Sequence, residues 1–291
     1  MMLRDIQGIY HKELDAIYGP DEVDSFFYWL IEHYFKFNRL TIALDPQLVL
    51  TKTEEQPLFE ALSRLKNQEP IQHIIGETEF LGLPFKVNRH TLIPRPETEE
   101  LVQWIINCHS ERSEASQLKI LDIGTGTGCI AISLAKQLPK AQVFALDVSE
   151  EALKIAQQNA ALNNVEVTFL KANVLNKAEC LSVLEAASKF DIIVSNPPYV
   201  RQLEKKEMKK NVLDYEPDLA LFVADDNPLV FYRAITQLAV DMLQPNGQLF
   251  FEINQYLGAE MQQMVKTYPF KHIALRQDMF GKDRMLKAEK Y

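Results

Sequence analysis

The sequence predicts an α/β protein whose carboxyl-terminal part forms a parallel, doubly wound sheet. From Leu118 onward, short apolar β-branched segments alternate with segments of helical periodicity, as in parallel strands joined by right-handed crossovers. Before residue 70 the apolar residues instead recur at helical spacing, and residues 71–96 combine short alternating segments with Gly and Pro. We therefore predict a helical domain over residues 1–70, a β-hairpin linker over 71–96 and an α/β domain over 97–291.

The boundaries of single elements follow from the same patterns. In the helical domain, apolar periodicity predicts helices over 3–17, after Asp21 and within 40–50, and the capping-box spacing of Thr53 and Gln56 predicts a fourth helix from Thr53. The polar stretch from His109 to Gln117 is expected to be a loop without function. In the α/β domain the predicted strands are 118–123, 142–147, 165–170, 190–195, 247–254, 270–276 and 284–289, and the predicted helices are 99–108, 129–138, 149–162, 178–188, 228–243 and 255–267.

Composition excludes several classes of protein. The 291 residues are 47% hydrophobic and 24% charged, as in a globular protein with an ample core. No apolar run approaches the ~20 residues of a membrane span, and the first residues lack the apolar core of a signal peptide. The net charge of −9 argues against a protein that binds bare nucleic acid, because such binding normally requires a basic surface. Cys108, Cys129 and Cys180 show no metal-binding spacing, which favours a reducing cytoplasm. We expect a cytoplasmic monomer that binds neither membrane nor nucleic acid.

A glycine-rich loop closes the first strand of the α/β domain and is a candidate cofactor site. Alternating glycines let the backbone pass close to a ligand and adopt torsions closed to other residues. A dinucleotide fingerprint would place its third glycine at position 129, which is Cys129 here, so NAD is disfavoured, and the loop lacks the lysine of a Walker motif. The loop consists of Asp122, Ile123, Gly124, Thr125, Gly126, Thr127 and Gly128.

Polar residues follow the next two strands of the predicted sheet. Asp147 ends the second strand about 20 residues after the loop, where a carboxylate accepts both hydroxyls of an adenosine ribose. Asn173, followed by Val174, comes just past the third strand, where it would meet an adenine edge. The carboxyl ends of parallel strands share one edge of a sheet, and we therefore expect these residues to form one site with the glycine loop.

The fourth strand ends in Asn196, Pro197, Pro198 and Tyr199, a stiff loop at the same edge. The Asn196 side-chain oxygen and the Pro197 carbonyl can each accept one hydrogen of a planar –NH2 group, and Tyr199 offers an aromatic face for that group. Taken alone, an Asn-Pro pair is as easily a simple turn.

These motifs together resemble those of the PrmC/HemK family of protein-(glutamine-N5) methyltransferases. The resemblance covers nearly everything after residue 70, and a helical domain of the expected size precedes it. The matching segments are PIQHIIG at 70–76, EFxG at 79–82, IPRPETE at 93–99, the strand and loop at 120–128, and SNPPY at 195–199.

The resemblance implies a Rossmann-like class I methyltransferase whose last strand is antiparallel. It implies that the glycine loop, Asp147, Asn173, Val174 and Asn196 bind S-adenosylmethionine, leaving S-adenosylhomocysteine as the product. It also implies that Asn196, Pro197 and Tyr199 are catalytic, and that they bind the glutamine of the GGQ motif of peptide chain release factors together with Pro198. Arg95, held between two prolines, would either face this site or be an exposed linker residue.

The expected chemistry is an in-line displacement at a sulfonium methyl group, with proximity and alignment supplying much of the rate. Acceptors at Asn196 and Pro197 would orient the amide nitrogen and stabilise the positive charge that develops on it. No general base and no metal are assigned, and none of the six histidines falls in these motifs.

Three alternatives use some of the same residues. A sister enzyme acting on a ribosomal-protein glutamine would share every catalytic residue. Base-amino methylation of DNA or RNA also uses an NPPY-type loop, but it requires a basic face. A non-enzymatic module that senses S-adenosylmethionine would need the glycine loop but not NPPY. The charged segment 201–211 is expected to be a solvated helix or loop.

Overall fold

The computed structural model describes residues 1–45, 47–109 and 117–291, and the chain divides into two compact units. The first comprises Met1–Gly76 and Lys209–Tyr215, and the second comprises Glu77–Met208 and Glu216–Tyr291. Most of the loop predicted between His109 and Gln117 lies outside the described residues. Within the described chain, no helix is long and apolar enough to cross a membrane.

The helices in the described residues are α1 (Leu3–Tyr18), α2 (Pro20–Phe35), α3 (Arg39–Leu44), α4 (Lys52–Lys66), α5 (Ile71–Ile75), α6 (Pro96–His109), α7 (Cys129–Gln137), α8 (Glu150–Asn163), α9 (Lys177–Val183), α10 (Lys210–Tyr215), α11 (Asp218–Leu221), α12 (Val230–Met242) and α13 (Gly258–Lys266). The strands are β1 (Glu77–Phe80), β2 (Leu83–Lys86), β3 (Lys119–Ile123), β4 (Gln142–Asp147), β5 (Thr168–Lys171), β6 (Phe190–Ser195), β7 (Val200–Arg201), β8 (Phe222–Val223), β9 (Leu243–Glu252), β10 (Phe270–Gln277) and β11 (Asp283–Lys290). Short 3₁₀ helices span Glu185–Ala187 and Gln202–Glu207.

The first unit is a helical bundle around an aromatic and aliphatic core. Tyr10 and Phe27 meet edge to face, with ring centroids 5.2 Å apart, and both are fully buried. Two expectations for this unit are wrong. The capping box is formed by Thr51 and Glu54 rather than by Thr53 and Gln56, although α4 begins at Lys52, near the predicted start. The start of the expected hairpin linker instead forms α5, which buries Ile71 in the bundle core.

The second unit contains a seven-stranded sheet in the order β10-β11-β9-β6-β3-β4-β5. Strands β9, β6, β3, β4 and β5 pair in parallel, whereas β11 is antiparallel to both of its neighbours. The predicted α/β sheet with an antiparallel last strand is therefore confirmed. Side chains of β3 alternate between two buried clusters, one shared with α9, α12 and α13 and the other shared with α6, α7 and α8.

The predicted β-hairpin is present as β1 and β2, and it packs on α8. Asn159 of α8 accepts a hydrogen bond from the backbone N–H of Lys86 (2.7 Å) and donates to the carbonyls of Lys86 and Thr127. One buried amide therefore joins the hairpin, the helix and the glycine loop.

Register brings the carboxyl ends of the central strands together. Ile123, the last residue of β3, pairs with Leu146 near the end of β4 and with Ser195 at the end of β6. The Ser195 hydroxyl donates to the Ile123 carbonyl at 2.6 Å, which ties the ends of β3 and β6 together. The loops that follow these strands therefore open onto one edge of the sheet.

Candidate active site

A cavity of about 220 Å³ lies at this edge and belongs entirely to the second unit. Its walls come from the loops after β3, β4, β5 and β6, from the segment before α6 and from the region of α11 and α12. Predicted site residues in its lining are Arg95, Gly124, Thr125, Gly126, Thr127, Asp147, Asn173, Val174, Asn196, Pro197 and Pro198.

The glycine loop takes the backbone conformation that its sequence requires. Gly124, Gly126 and Gly128 all have positive φ, at 74°, 55° and 82°. A Cβ built on Gly124 or Gly126 would meet no atom within 4 Å, because both face open space. At Gly128 it would lie 2.8 Å from Ile132 Cδ1 and 3.2 Å from Ala156 Cβ, because α7 and α8 pack against the loop there. The loop therefore presents bare backbone to the cavity.

Asp122 lies behind the loop and is not among the residues that line the cavity. Its side chain is fully buried and accepts a hydrogen bond from the Thr125 hydroxyl at 2.6 Å. Burial raises the pKa of Asp122 to about 7, and the nearby Asp147 adds to the increase. The structure gives this carboxyl group contacts that hold the loop, whereas direct cofactor contact stays a prediction.

Asp147 lines the cavity at the end of β4. One carboxylate oxygen accepts from the Gly126 N–H at 2.8 Å and the other from the Ser149 N–H at 2.9 Å. Burial raises its pKa, and these backbone hydrogen bonds oppose the increase. Each oxygen has a second lone pair, so the group can still accept two hydroxyl hydrogens.

Asn173 and Val174 line the cavity after β5. The Asn173 side-chain oxygen accepts from the Leu175 N–H at 3.0 Å, in an Asx turn that fixes the loop. Asn173 is exposed, whereas Val174 packs against the buried cluster that β3 shares with α9, α12 and α13. The pair presents one polar and one apolar side chain.

Asn196 is held by two residues that the sequence did not single out. Its Nδ2 donates to the Thr98 hydroxyl oxygen at 3.2 Å, and that hydroxyl donates to Glu252 Oε2 at 2.6 Å. Burial raises the pKa of Glu252, and hydrogen bonds from Thr98 and Tyr199 oppose the increase. The sequence alone assigned neither residue a role: Thr98 belongs to the IPRPETE segment, and Glu252 belongs to the predicted strand 247–254.

Tyr199 is not among the residues that line the cavity. Its ring packs against the buried cluster that β3 shares with α9, α12 and α13, and its hydroxyl donates to Glu252 Oε1 at 2.9 Å. Burial and the neighbouring Glu252 raise the pKa of Tyr199 well above its usual value, so the phenol keeps its proton. The role of the ring as a platform for a planar amide stays a prediction.

Arg95 lines the cavity and pairs with a buried carboxylate. Its Nη2 lies 2.5 Å from Glu216 Oε1, and Glu216 Oε2 accepts from the Ile93 N–H at 3.1 Å. Glu216 precedes Pro217, Leu219 and Ala220 of the cavity wall, so this pair joins two walls. A contact between residues 121 positions apart leaves no local pattern in the sequence.

The charged segment after Tyr199 is only partly solvated. Glu204 is buried and accepts from Arg201 Nη2 (2.9 Å) and from Asn254 Nδ2 (3.0 Å). Asn254 also donates to the Tyr199 carbonyl at 3.0 Å. This part of the segment therefore supports the NPPY loop, in contrast to the expected solvated structure, whereas Lys206 and Glu207 are exposed.

The cavity contains few groups suited to covalent or metal chemistry. Cys129 lines it, but burial raises the pKa of this thiol to about 12, so it is protonated at neutral pH. His90 lies on the lining and is exposed. Within residues 1–45, 47–109 and 117–291, no three His, Cys, Asp or Glu residues are grouped so that they could hold a metal ion.

Comparison with known proteins gives a consistent result along the chain. The PrmC N-terminal domain model matches residues 12–76, and the methyltransferase small domain model matches residues 105–215. A release factor glutamine methyltransferase of Flavobacterium psychrophilum is 53% identical over 99% of both chains. One of Bacteroides thetaiotaomicron is 44% identical over 98% of this chain and 99% of that one.

The fold also matches solved structures. A methyltransferase from Pyrococcus furiosus superimposes with a TM-score of 0.52 and 18% identity, covering 82% of this chain and 99% of that chain. At this identity the likeness establishes the fold alone.

Proposed function

We propose that this chain, which belongs to the release factor glutamine methyltransferase family, methylates the side-chain amide nitrogen of a release factor glutamine. The expected target is the GGQ glutamine, and the methyl donor is S-adenosylmethionine. One observation carries the proposal: the Asn-Pro-Pro loop, the glycine loop and Asp147 line a single cavity.

The lining of the cavity fits the proposed cofactor. Open space above Gly124 and Gly126 lets a ligand approach the backbone, and the remaining lone pairs of Asp147 suit the two hydroxyls of a ribose. Asn173 and Val174 would flank the adenine with one polar and one apolar side chain. When bound, S-adenosylmethionine supplies an electrophilic sulfonium methyl group.

The protein's own part in the reaction is to orient the acceptor. An amide nitrogen is a poor nucleophile because its lone pair is delocalised into the carbonyl, so alignment with the methyl group must supply much of the rate. The Asn196 side-chain oxygen and the Pro197 carbonyl would accept the two N–H hydrogens of the glutamine. These acceptors also stabilise the positive charge that develops on nitrogen, and the proton leaves to water after transfer.

Family membership supports a release factor as the acceptor over a ribosomal protein, and the net charge of −9 supports a protein over a nucleic acid. Cytoplasmic location and a monomeric state stay predictions from the sequence.

The test is methyl transfer from labelled S-adenosylmethionine to purified release factor, beside a release factor whose GGQ glutamine is replaced by alanine. Ribosomal proteins and duplex DNA serve as parallel acceptors. We expect label on the natural release factor that vanishes in the alanine variant. Label found only on a ribosomal protein or on DNA would refute the assigned substrate.

A further inference from the structure

We propose that Thr98 and Glu252 are positioning residues that set the orientation of the Asn196 side-chain amide, so that its oxygen faces the acceptor nitrogen. The proposal rests on the proposed function, because it assigns the polarity of the group that receives the glutamine amide. It concerns two residues outside the glycine loop and outside the NPPY motif.

The direction of the hydrogen bonds supports this assignment. An asparagine amide has a donor end and an acceptor end of nearly equal size, and only its partners distinguish them. Thr98 donates its only hydroxyl proton to Glu252 Oε2 at 2.6 Å, and Tyr199 donates to the other oxygen of Glu252, so the Thr98 proton is not available to Asn196. The Thr98 oxygen can then only accept, and Asn196 must turn its NH2 group towards it, at 3.2 Å. The Asn196 oxygen is left for the cavity.

Burial and packing keep this arrangement in place. Thr98 and Glu252 are 2% and 1% exposed, so water does not compete for their hydrogen bonds. Glu252 also accepts from the Tyr199 hydroxyl at 2.9 Å, so both of its oxygens are held by hydroxyl donors. The first turn of α6 and the end of β9 are both regular structure, which gives Asn196 a fixed support.

Reversal of the amide would oppose the reaction. A turned Asn196 would present its NH2 group to the NH2 group of the glutamine, and two donors cannot bond. The acceptor would lose one of its two orienting contacts and also an oxygen that stabilises charge on nitrogen. The loss would therefore fall on the rate of the chemical step rather than on cofactor affinity.

Three variants and one control test the proposal. Thr98→Val keeps the size of the side chain but removes the hydroxyl, and Thr98→Ser restores the hydroxyl. Glu252→Gln keeps the shape but supplies donors as well as acceptors. Thr236→Val is the control, because Thr236 is equally buried and loses a comparable hydroxyl bond, to the Tyr232 carbonyl, without lining the cavity.

We expect Thr98→Val to lower kcat by roughly ten- to a hundred-fold with the dissociation constant for S-adenosylmethionine unchanged. Glu252→Gln should lower kcat less than Thr98→Val does, and Thr98→Ser should keep most of the natural kcat. Thr236→Val should lower Tm without lowering kcat. Unchanged kcat in both Thr98→Val and Glu252→Gln, or an equal loss in Thr98→Val and Thr98→Ser, would overturn the proposal.

A readout without substrate separates this proposal from the proposed function. In protein labelled with ¹⁵N-asparagine, hydrogen exchange of the Asn196 side-chain N–H groups should be faster in Thr98→Val than in the natural protein or in Thr98→Ser. Equal exchange in Thr98→Val and the natural protein would overturn the positioning role. If the natural protein shows slow exchange but methylates no release factor, the proposed function fails and the positioning role stands.

Discussion

At the scale of single residues, the site depends on which atoms of each polar group remain free. Each carboxylate oxygen of Asp147 accepts one backbone hydrogen bond, from the N–H of Gly126 or of Ser149. Asp147 also lines the cavity, where its remaining lone pairs can accept hydrogen bonds from a ligand. Asn196 uses its donor end on Thr98. Both side chains are therefore fixed by the protein before any ligand arrives, which lowers the entropic cost of binding.

Replacement of Asp147 should weaken cofactor binding more than it slows the chemical step. In Asp147→Ala we expect the dissociation constant for S-adenosylmethionine to rise by roughly ten-fold or more, because charge-assisted hydrogen bonds are lost. Isothermal titration calorimetry measures it, and Asp191→Ala is a control that removes a carboxylate away from the cavity lining. Unchanged affinity in Asp147→Ala would remove the ribose assignment.

Asp122 should make folding stability depend on pH. Its pKa is raised to about 7 in the folded state from 3.8, so the native state binds the proton more tightly than the unfolded chain does. Stability contributed by this group is therefore full below pH 3.8 and is lost as pH rises towards 7, by at most about 1.4 kcal/mol per pH unit.

The uncharged Asp122→Asn variant tests this dependence by urea unfolding across that pH range. We expect the difference in unfolding free energy between natural and variant protein to shift in favour of Asp122→Asn as pH rises. A difference that is constant from pH 4 to pH 7 would contradict the buried, proton-binding state of Asp122.

At the scale of elements, the glycine loop is shaped by the helices that pack behind it. All three glycines have positive φ, but a Cβ on Gly124 or Gly126 would face open space, whereas a Cβ on Gly128 would meet Ile132 of α7 and Ala156 of α8. The sequence pattern shows three similar glycines, and only the packing distinguishes their roles.

Gly128→Ala should therefore destabilise the protein by about 2–4 kcal/mol, the sum of backbone strain at positive φ and overpacking. Gly281→Ala is a matched control, because Gly281 has φ of 72° but open space around its Cβ position. It should cost only about 1–2 kcal/mol. Thermal and urea unfolding measure both variants, and equal losses would show that the helix contact at Gly128 has no effect.

At the scale of the whole molecule, the sequence predicts the strands of the sheet and the residues at their ends, but not the contacts that depend on strand order and register. The alternation of strands and helices predicted the parallel sheet, and the polar residues at strand ends, Asp147 and Asn196, were found because each follows an apolar run. Thr98 and Glu252 contact each other across 154 positions. A contact of that kind depends on strand order and register, which one sequence does not display.

Local signals also misled where tertiary packing decided the outcome. Residues 71–75 were predicted as part of a hairpin linker because prolines and glycines surround them, yet Ile71 and Ile74 are buried in the helical unit as α5. Arg201 and Glu204 were predicted in a solvated segment because charged neighbours surround them, yet Glu204 is buried against Asn254. In both cases burial was decided by distant residues.

The measurement that tests the central claim most directly is single-turnover methyl transfer to purified release factor by the natural protein and by Asn196→Ala, both saturated with S-adenosylmethionine. We predict that Asn196→Ala still binds the cofactor but, once saturated with it, transfers the methyl group at least about a hundred-fold more slowly. Transfer at a rate near that of the natural protein, with cofactor bound, would contradict the assignment of the Asn196 loop as the site that orients the glutamine.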